Sequence, residues 1–117
     1  MITVGRARAV AALDISDGNT IVNTKKRVLI GPDQGAPTFI MRLFTVSEGG
    51  FSPYHKHPWE HEAFVLSGEG IVKGTQGETA VHSGDFIFVP PNEEHQFLNR
   101  GKEPFEFLCI IPKVEEA

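Results

Sequence analysis

Cysteine is nearly absent from this chain of 117 residues, and tryptophan and tyrosine also occur once each. A single thiol, Cys109, cannot close an internal disulfide, which excludes a disulfide-stapled scaffold and points to a reducing compartment, the cytoplasm by default. No apolar run approaches the roughly 20 residues that a membrane helix needs, so a soluble protein with no membrane partner is expected. Near the N-terminus Arg6 and Arg8 precede an apolar stretch at 10–13. That stretch is shorter than the ~7 to 15 residues of a secretory core and ends at Asp14, so we read no signal peptide. A charge excess of one sign is lacking too. Eleven Lys and Arg against fifteen Asp and Glu leave a formal charge of -4, with no general attraction for phosphate backbones. The cluster Lys25, Lys26, Arg27 is too short for a nucleic-acid footprint and reads as a solvated strand end. There is no fixed-period repeat and no low-complexity segment.

What is present is globular: 40% hydrophobic and 22% charged residues in a length that suits one domain, residues 1–117, able to bury its own core. Short runs of Val, Ile and Phe recur between Gly, Pro, Asn and Asp, and no segment sustains helical periodicity. The expected strands are 27–30, 38–46, 61–66, 70–73, 79–82, 86–89, 95–99 and 105–111. Eight strands of this kind make an all-β sandwich or barrel. Ser47 to Gly50, Ser83 to Asp85 and Pro90 to Asn92 supply the turns. The acidic tail at Glu115 and Glu116 is expected to fray. Segments 39–44 and 105–111 are apolar on both faces; a facing sheet covers one face, and a second copy of the chain is expected to cover the other, giving a homodimer.

The chemistry sits in the histidines. Four of the five fall in two clusters, His55, His57 and His61, then His95. In an extended strand His55 and His57 project from one face, roughly 6.7 Å apart along the backbone, so both can reach one ion. Imidazole suits zinc, copper, iron and nickel, with manganese admitted where geometry and supply favour it. One such ion per chain is the expected cofactor. The competing structural reading is a closed tetrahedral zinc site, although structural zinc leans towards cysteine. Ligation needs neutral imidazoles, so metal binding should weaken near and below pH ~6.5. His82 has no partners of this kind and belongs to a strand end.

Gly49, five residues, His55-x-His57, three residues, His61, six residues and Gly68 has the spacing of the first cupin motif (49–68). Gly84, five residues, Pro90-x-Asn92, two residues, His95, three residues and Asn99 matches the second (84–99). The chain therefore resembles the cupin superfamily, which implies a double-stranded β-helix, or jelly-roll barrel. The family usually has glutamate where His61 stands. Glu62 is the alternative ligand, but adjacent strand residues point to opposite faces, so only one of the two can face the metal, and the spacing to Gly68 favours His61. Asn92 replaces a turn glycine, a mild change because Asn tolerates the left-handed region. The runs KKRVLIG, MRLFTV, HPWEH, FVLSG and EFLCIIPK are similar to small single-domain four-histidine manganese cupins of thermophilic bacteria. That resemblance implies a homodimer, a mononuclear manganese site and oxidative chemistry with dioxygen or peroxides. It also places Cys109 inside the barrel near the metal, whereas the residues alone read Cys109 as a small buried hydrophobe on the face of Phe105, Phe107 and Ile111.

Trp59 reads as an anchor for the ligand loop or a wall of a substrate entrance, and Phe51 and Phe97 share that ambiguity. Asn99 or Gln96 could orient a ligating imidazole. Glu60, Glu62, Glu93 and Glu94 read as solvated, so no side chain beyond the metal ligands is placed as acid or base. Two function classes follow: a manganese- or iron-dependent oxygenase acting on a small organic substrate, or a metal-dependent binding module or isomerase.

Overall fold

The computed structural model describes residues 1–114, and the expected fraying of Glu115 and Glu116 lies outside the described residues. Among the described residues nine strands form one curled sheet: β1 Leu13–Asp14, β2 Val22–Ile30, β3 Phe39–Phe51, β4 His61–Ser67, β5 Glu69–Gly74, β6 Gly77–His82, β7 Phe86–Val89, β8 His95–Leu98 and β9 Phe105–Pro112. The order β6-β5-β8-β3-β9-β4-β7 is antiparallel throughout, with β2 on the other side of β3 and β1 beside β2. The expected all-β cupin architecture is the one observed. No helix among the described residues is long and apolar enough to cross a membrane.

Strand period decides what faces inward. In β4 burial alternates: His61, Ala63 and Val65 are buried while Glu62, Phe64 and Leu66 are exposed. In β9, Phe105, Phe107, Cys109 and Ile111 point into the curl, and Ile40, Arg42 and Val46 of β3 face them. Phe97 stacks on Phe107 at 4.5 Å and Phe44 stacks on Phe107 at 5.4 Å, so the three rings form one aromatic cluster in the interior. Two glycines are required by contact. A Cβ at Gly68 (φ 80°) would lie 2.1 Å from the Pro104 carbonyl oxygen, and one at Gly70 would lie 2.2 Å from the Phe105 ring.

Two expectations need correction. The segment Ser47 to Gly50 does not end a strand: β3 runs on to Phe51, and the left-handed Gly49 is absorbed where the β2–β3 register shifts between Val22 and Thr24. The outer face of β3 is covered in part by the chain itself. Arg8 holds Glu106 at 2.8 Å, and Arg27 Nε donates to the Val10 carbonyl at 3.1 Å, so the N-terminal segment crosses this face, where Leu43 is 1% exposed. Arg8, with Thr45 and Ser67, holds the Glu106 carboxyl well below the usual carboxylate range. Farther along the same face the apolar residues stay open: Phe86 is 83% exposed, Phe88 56% and Phe64 45%.

Candidate metal centre

The histidines come from three places. His55 and His57 lie in the irregular stretch between β3 and β4, His61 opens β4 and His95 opens β8. Two backbone hydrogen bonds join His55 to His95 (His55 N to His95 O, 3.1 Å; His95 N to His55 O, 2.9 Å), which couples the two sequence clusters directly. Asn92, at φ 66°, donates its N–H to the His57 carbonyl at 2.6 Å. The motif asparagine thus makes the left-handed turn expected of it and also pins the ligand loop.

His55, His57 and His95 each bring a ring nitrogen to within 4.8 Å of the others, a spacing that lets the three hold one metal ion. Their rings are closer than an ideal strand would allow, with the His55 and His57 centroids 4.2 Å apart. The His61 ring lies 4.9 Å from those of His57 and His95. Its Nδ1 is 3.2 Å from Cys109 Sγ, and its Nε2 is buried with no hydrogen-bond partner. His95 Nδ1 is 2.9 Å from the Glu93 carbonyl oxygen, which can only accept, so Nδ1 carries the proton and Nε2 keeps its lone pair. Glu62 is exposed and faces away. His82 is exposed at the end of β6, 2.8 Å from Asp85, as its reading as a strand-end residue requires.

Burial keeps these imidazoles neutral. Desolvation, helped by the neighbouring His57, His95 and Arg42, lowers His55 to about 4. Desolvation again dominates at His61, which is lowered to about 3. His95 is lowered by burial and partly restored by its bond to the Glu93 carbonyl. At pH 7 all three offer lone pairs. The expectation that proton competition sets in near pH 6.5 is therefore too high for these three.

The four histidines are among the residues that line a cavity of about 340 Å³. Its walls include Phe44, Phe97, Phe107 and Trp59, with Lys26 and Arg42 as the cations and no carboxylate among the described lining residues. Trp59 stacks on His57 at 4.6 Å with the rings 2° from parallel and packs on the core, so it both anchors the loop and walls the cavity. Phe97 lines the cavity and Phe51 does not. The hydrogen bonds that Asn99 and Gln96 make among the described residues go to backbone groups and not to a histidine ring. Asn99 braces the turn after β8 through the carbonyls of Val46 and Glu103, and Gln96 donates to the Ser52 carbonyl.

Cys109 is 1% exposed, yet it is more than a core filler: Arg42 Nη2 donates to its sulfur at 3.1 Å while His61 Nδ1 sits on it. Burial pushes the thiol up, against the opposing pull of Arg42. Arg42 and Lys26 went unrecognised as site residues in the sequence reading. Lys26 is a cavity wall rather than part of a solvated strand end. The available signal was periodic, since Arg42 occupies an inward position between Ile40 and Phe44 in an apolar strand.

The family described as Cupin domain matches residues 42–111. The chain is a cupin. Among solved structures this cupin is similar to the polyketide cyclase RemF from Streptomyces resistomycificus, with 32% identity and a TM-score of 0.91 over 100% of this chain and 83% of that one. It is 34% identical over 58 residues to an oxalate-binding protein from Thermotoga maritima, covering 49% of this chain and 48% of that protein. It is 26% identical over 105 residues to gentisate 1,2 dioxygenase 1 from Aquipseudomonas alcaligenes, covering 80% of this chain and 30% of that protein. The cupin thus spans less than half the length of these two curated relatives.

Proposed function

We propose that this cupin is a mononuclear metal-dependent oxidoreductase of dioxygenase type, acting on a small organic substrate, with His55, His57, His61 and His95 holding one manganese or iron ion. One observation carries the reading: beside three converging imidazole donors lies a fourth imidazole whose Nε2 is buried and unpartnered. A buried polar nitrogen left without a partner costs free energy, and a metal ion would remove that cost. The donor set is all imidazole, which fits a transition metal and not magnesium or calcium.

Bound there, manganese or iron would supply Lewis acidity and one-electron redox capacity. The chain's own residues do the rest. Ligation through His61 Nε2 requires the proton on Nδ1, so Cys109 Sγ then accepts from both His61 and Arg42 and fixes the ring's orientation. Glu93 does the same for His95 through its backbone carbonyl. Phe44, Phe97 and Phe107 exclude water and present flat apolar walls to the substrate.

The match to a dioxygenase over most of the chain supports the oxygenase reading. The full-length match to a polyketide cyclase favours a second one, metal-dependent cyclisation or isomerisation without an oxidant. Metal analysis of untagged protein by mass spectrometry, combined with oxygen uptake during substrate screening, separates them. About one manganese or iron per chain with substrate-dependent uptake supports the oxygenase. Turnover without uptake, or stoichiometric zinc, supports the second. His57→Ala should lose metal and activity together; normal metal retention in that variant would sink the ligand assignment.

We also propose a homodimer through the outer face of β4 and β7. Phe86, Phe64 and Leu108 lie in one row across three strands, and Phe88 and Ile110 flank Glu62 in the next. A contiguous exposed apolar patch of this kind is unusual on a monomer.

A further inference from the structure

The loop between β1 and β2, residues 15–21, supplies part of the cavity wall, and it does so with two apolar side chains. Of these residues only Ile15 and Ile21 line the cavity, and both are half-buried, whereas Asp17, Gly18, Asn19 and Thr20 between them are exposed. The loop is tied tightly to itself. One oxygen of Asp17 accepts the backbone N–H groups of Asn19, Thr20 and Ile21, each at 2.8 Å, and the other accepts the Thr20 hydroxyl. The N–H groups of Asp17 and Gly18 donate to the Ile21 carbonyl at 2.9 and 3.1 Å. At the base, the Ile15 N–H donates to the Thr24 carbonyl at 3.2 Å and the Thr24 N–H to the Ser16 hydroxyl at 3.0 Å.

Among the described residues, the hydrogen bonds of this loop end at Asp14, at Thr24 or within the loop itself, so none of them ties it across the cavity. What the loop offers the cavity is apolar surface held in a fixed place. Pro53 and Trp59, also half-buried, and the buried rings of Phe97 and Phe107 extend that surface. Apolar side chains that face an enclosed space gain free energy when a ligand displaces water from them. The volume of about 340 Å³ lies near the lower end of the range for small-molecule pockets, ~300 to 1,000 Å³, which suits a small ring system. The loop also lies outside residues 42–111, the stretch that matches the cupin family, so this wall is a part of the site that the family match does not supply.

We infer that Ile15 and Ile21 are specificity-determining residues of this cupin: they form an apolar wall that receives the neutral ring body of the substrate, and Asp17 is the positioning residue that sets the wall in place. The inference deepens the proposed function and rests on it for the reacting end of the substrate, while the wall uses residues that hold no metal. It selects apolar ring compounds over polyhydroxylated molecules of the same size.

The test is fluorescence titration of prodan, a neutral naphthalene dye whose emission reports apolar surroundings, into chelator-treated and into manganese-loaded protein, with metal content and urea stability measured alongside. Wild type should bind about one dye per chain, saturably, in both forms. Ile15→Asn with Ile21→Asn, which keeps side-chain bulk and makes it polar, should weaken binding at least about tenfold with metal content unchanged. Ile15→Leu with Ile21→Leu should retain it. Asp17→Ala should weaken binding in the same direction with both isoleucines present, and Asp17→Asn, which keeps the accepting oxygen, should retain most of it. If the double asparagine variant does not fold, the two Asp17 variants decide in the same way. Phe86→Ser with Phe88→Ser should leave binding unchanged, which separates the cavity from the exposed face of β4 and β7. No saturable binding in wild type, or binding abolished by the Phe86 and Phe88 substitutions, would overturn the inference. Normal manganese content with dye binding unmoved by the loop variants would overturn the wall and leave the metal centre standing. Failure to bind manganese, with dye binding still dependent on Ile15 and Ile21, would overturn the metal reading and support the wall.

Discussion

Lowering the pH from 7 to 5 should cost the metal-free protein about 3 kcal/mol of folding stability, and the source is two imidazoles, His61 buried and His55 half-buried. In the unfolded chain His55 and His61 titrate near 6.5, whereas folding holds them at about 4 and about 3, chiefly by burial. A folded value below the unfolded one means that the unfolded state binds protons first. The contribution is therefore intact above pH 6.5 and is lost as pH falls towards the folded values. At pH 5 the unfolded imidazoles are almost fully protonated and the folded ones are not, which gives about 2 kcal/mol for buried His61 and about 1 kcal/mol for His55, where solvent screens part of the shift. His95 moves in the same direction. The depressed carboxylates Glu106, Glu78 and Asp85 act in the acid range below about pH 5, so they do not contaminate this window. Against a total of roughly 5 to 15 kcal/mol for a domain, the loss is large. Urea unfolding of chelator-treated protein at the two pH values, at fixed ionic strength, measures it directly. His61→Asn should remove about two-thirds of the pH dependence. A change below about 1 kcal/mol in wild type, or an undiminished change in the His55→Asn, His61→Asn double variant, would refute the assignment of these shifts to burial in this cluster.

Other consequences follow from the contacts. Cys109→Ala removes the group that orients His61 and should lower metal affinity about 10- to 100-fold, as loss of such outer partners commonly does; Cys109→Ser, which keeps a hydrogen-bonding atom at Oγ, should retain most of it in a chelator competition assay. Gly70→Ala drives a methyl into the fully buried Phe105 ring and should cost about 3 kcal/mol in urea unfolding, so a neutral effect would contradict the packing of β5 against β9. Phe86→Ser with Phe88→Ser should convert the proposed dimer to monomer in light scattering without changing metal content, and a dimer that survives both substitutions does not use this face.

Much of the fold was legible because most strands obey one rule. His61, Ala63 and Val65 alternate with Glu62, Phe64 and Leu66, and that period places His61 inward and Glu62 outward. The turn residues Asn92, Gly68 and Gly84 adopt the positive φ values that their chemistry suggests. The less legible parts share a physical cause: polar residues that face inward. The start of β2 reads as loop because Asn23, Thr24, Lys25 and Lys26 carry no apolar alternation, yet Thr24 is 1% exposed, bonded to the carbonyls of Val22 and Phe51, and Lys26 opens onto the cavity. The docking of the N-terminal segment was hidden because it depends on pairing Arg8 with Glu106 across 98 residues. Local sequence carries no trace of such a contact.

The same cause explains why the histidines were found and the cations were not. Histidines at metal-ligand spacings stand out by residue type, whereas Arg42 and Lys26 stand out only by position, as charges on the inward period of strands whose other inward residues are apolar or, like Thr24, internally bonded. Burying a charge is costly, so a cation on an inward position marks a cavity rather than a close-packed core. In β3 the period runs Ile40, Arg42, Phe44, Val46, and in β9 it runs Phe105, Phe107, Cys109, Ile111, with Arg42 and Cys109 opposite each other in register. The single polar residue of each inward row thus meets the other at one point of the sheet, 3.1 Å apart and touching His61. A core built for stability alone would place two apolar side chains there. Arg42 beside Cys109 instead leaves the buried Arg42 Nε without an acceptor among the described residues, a cost that a core built for packing alone would not carry.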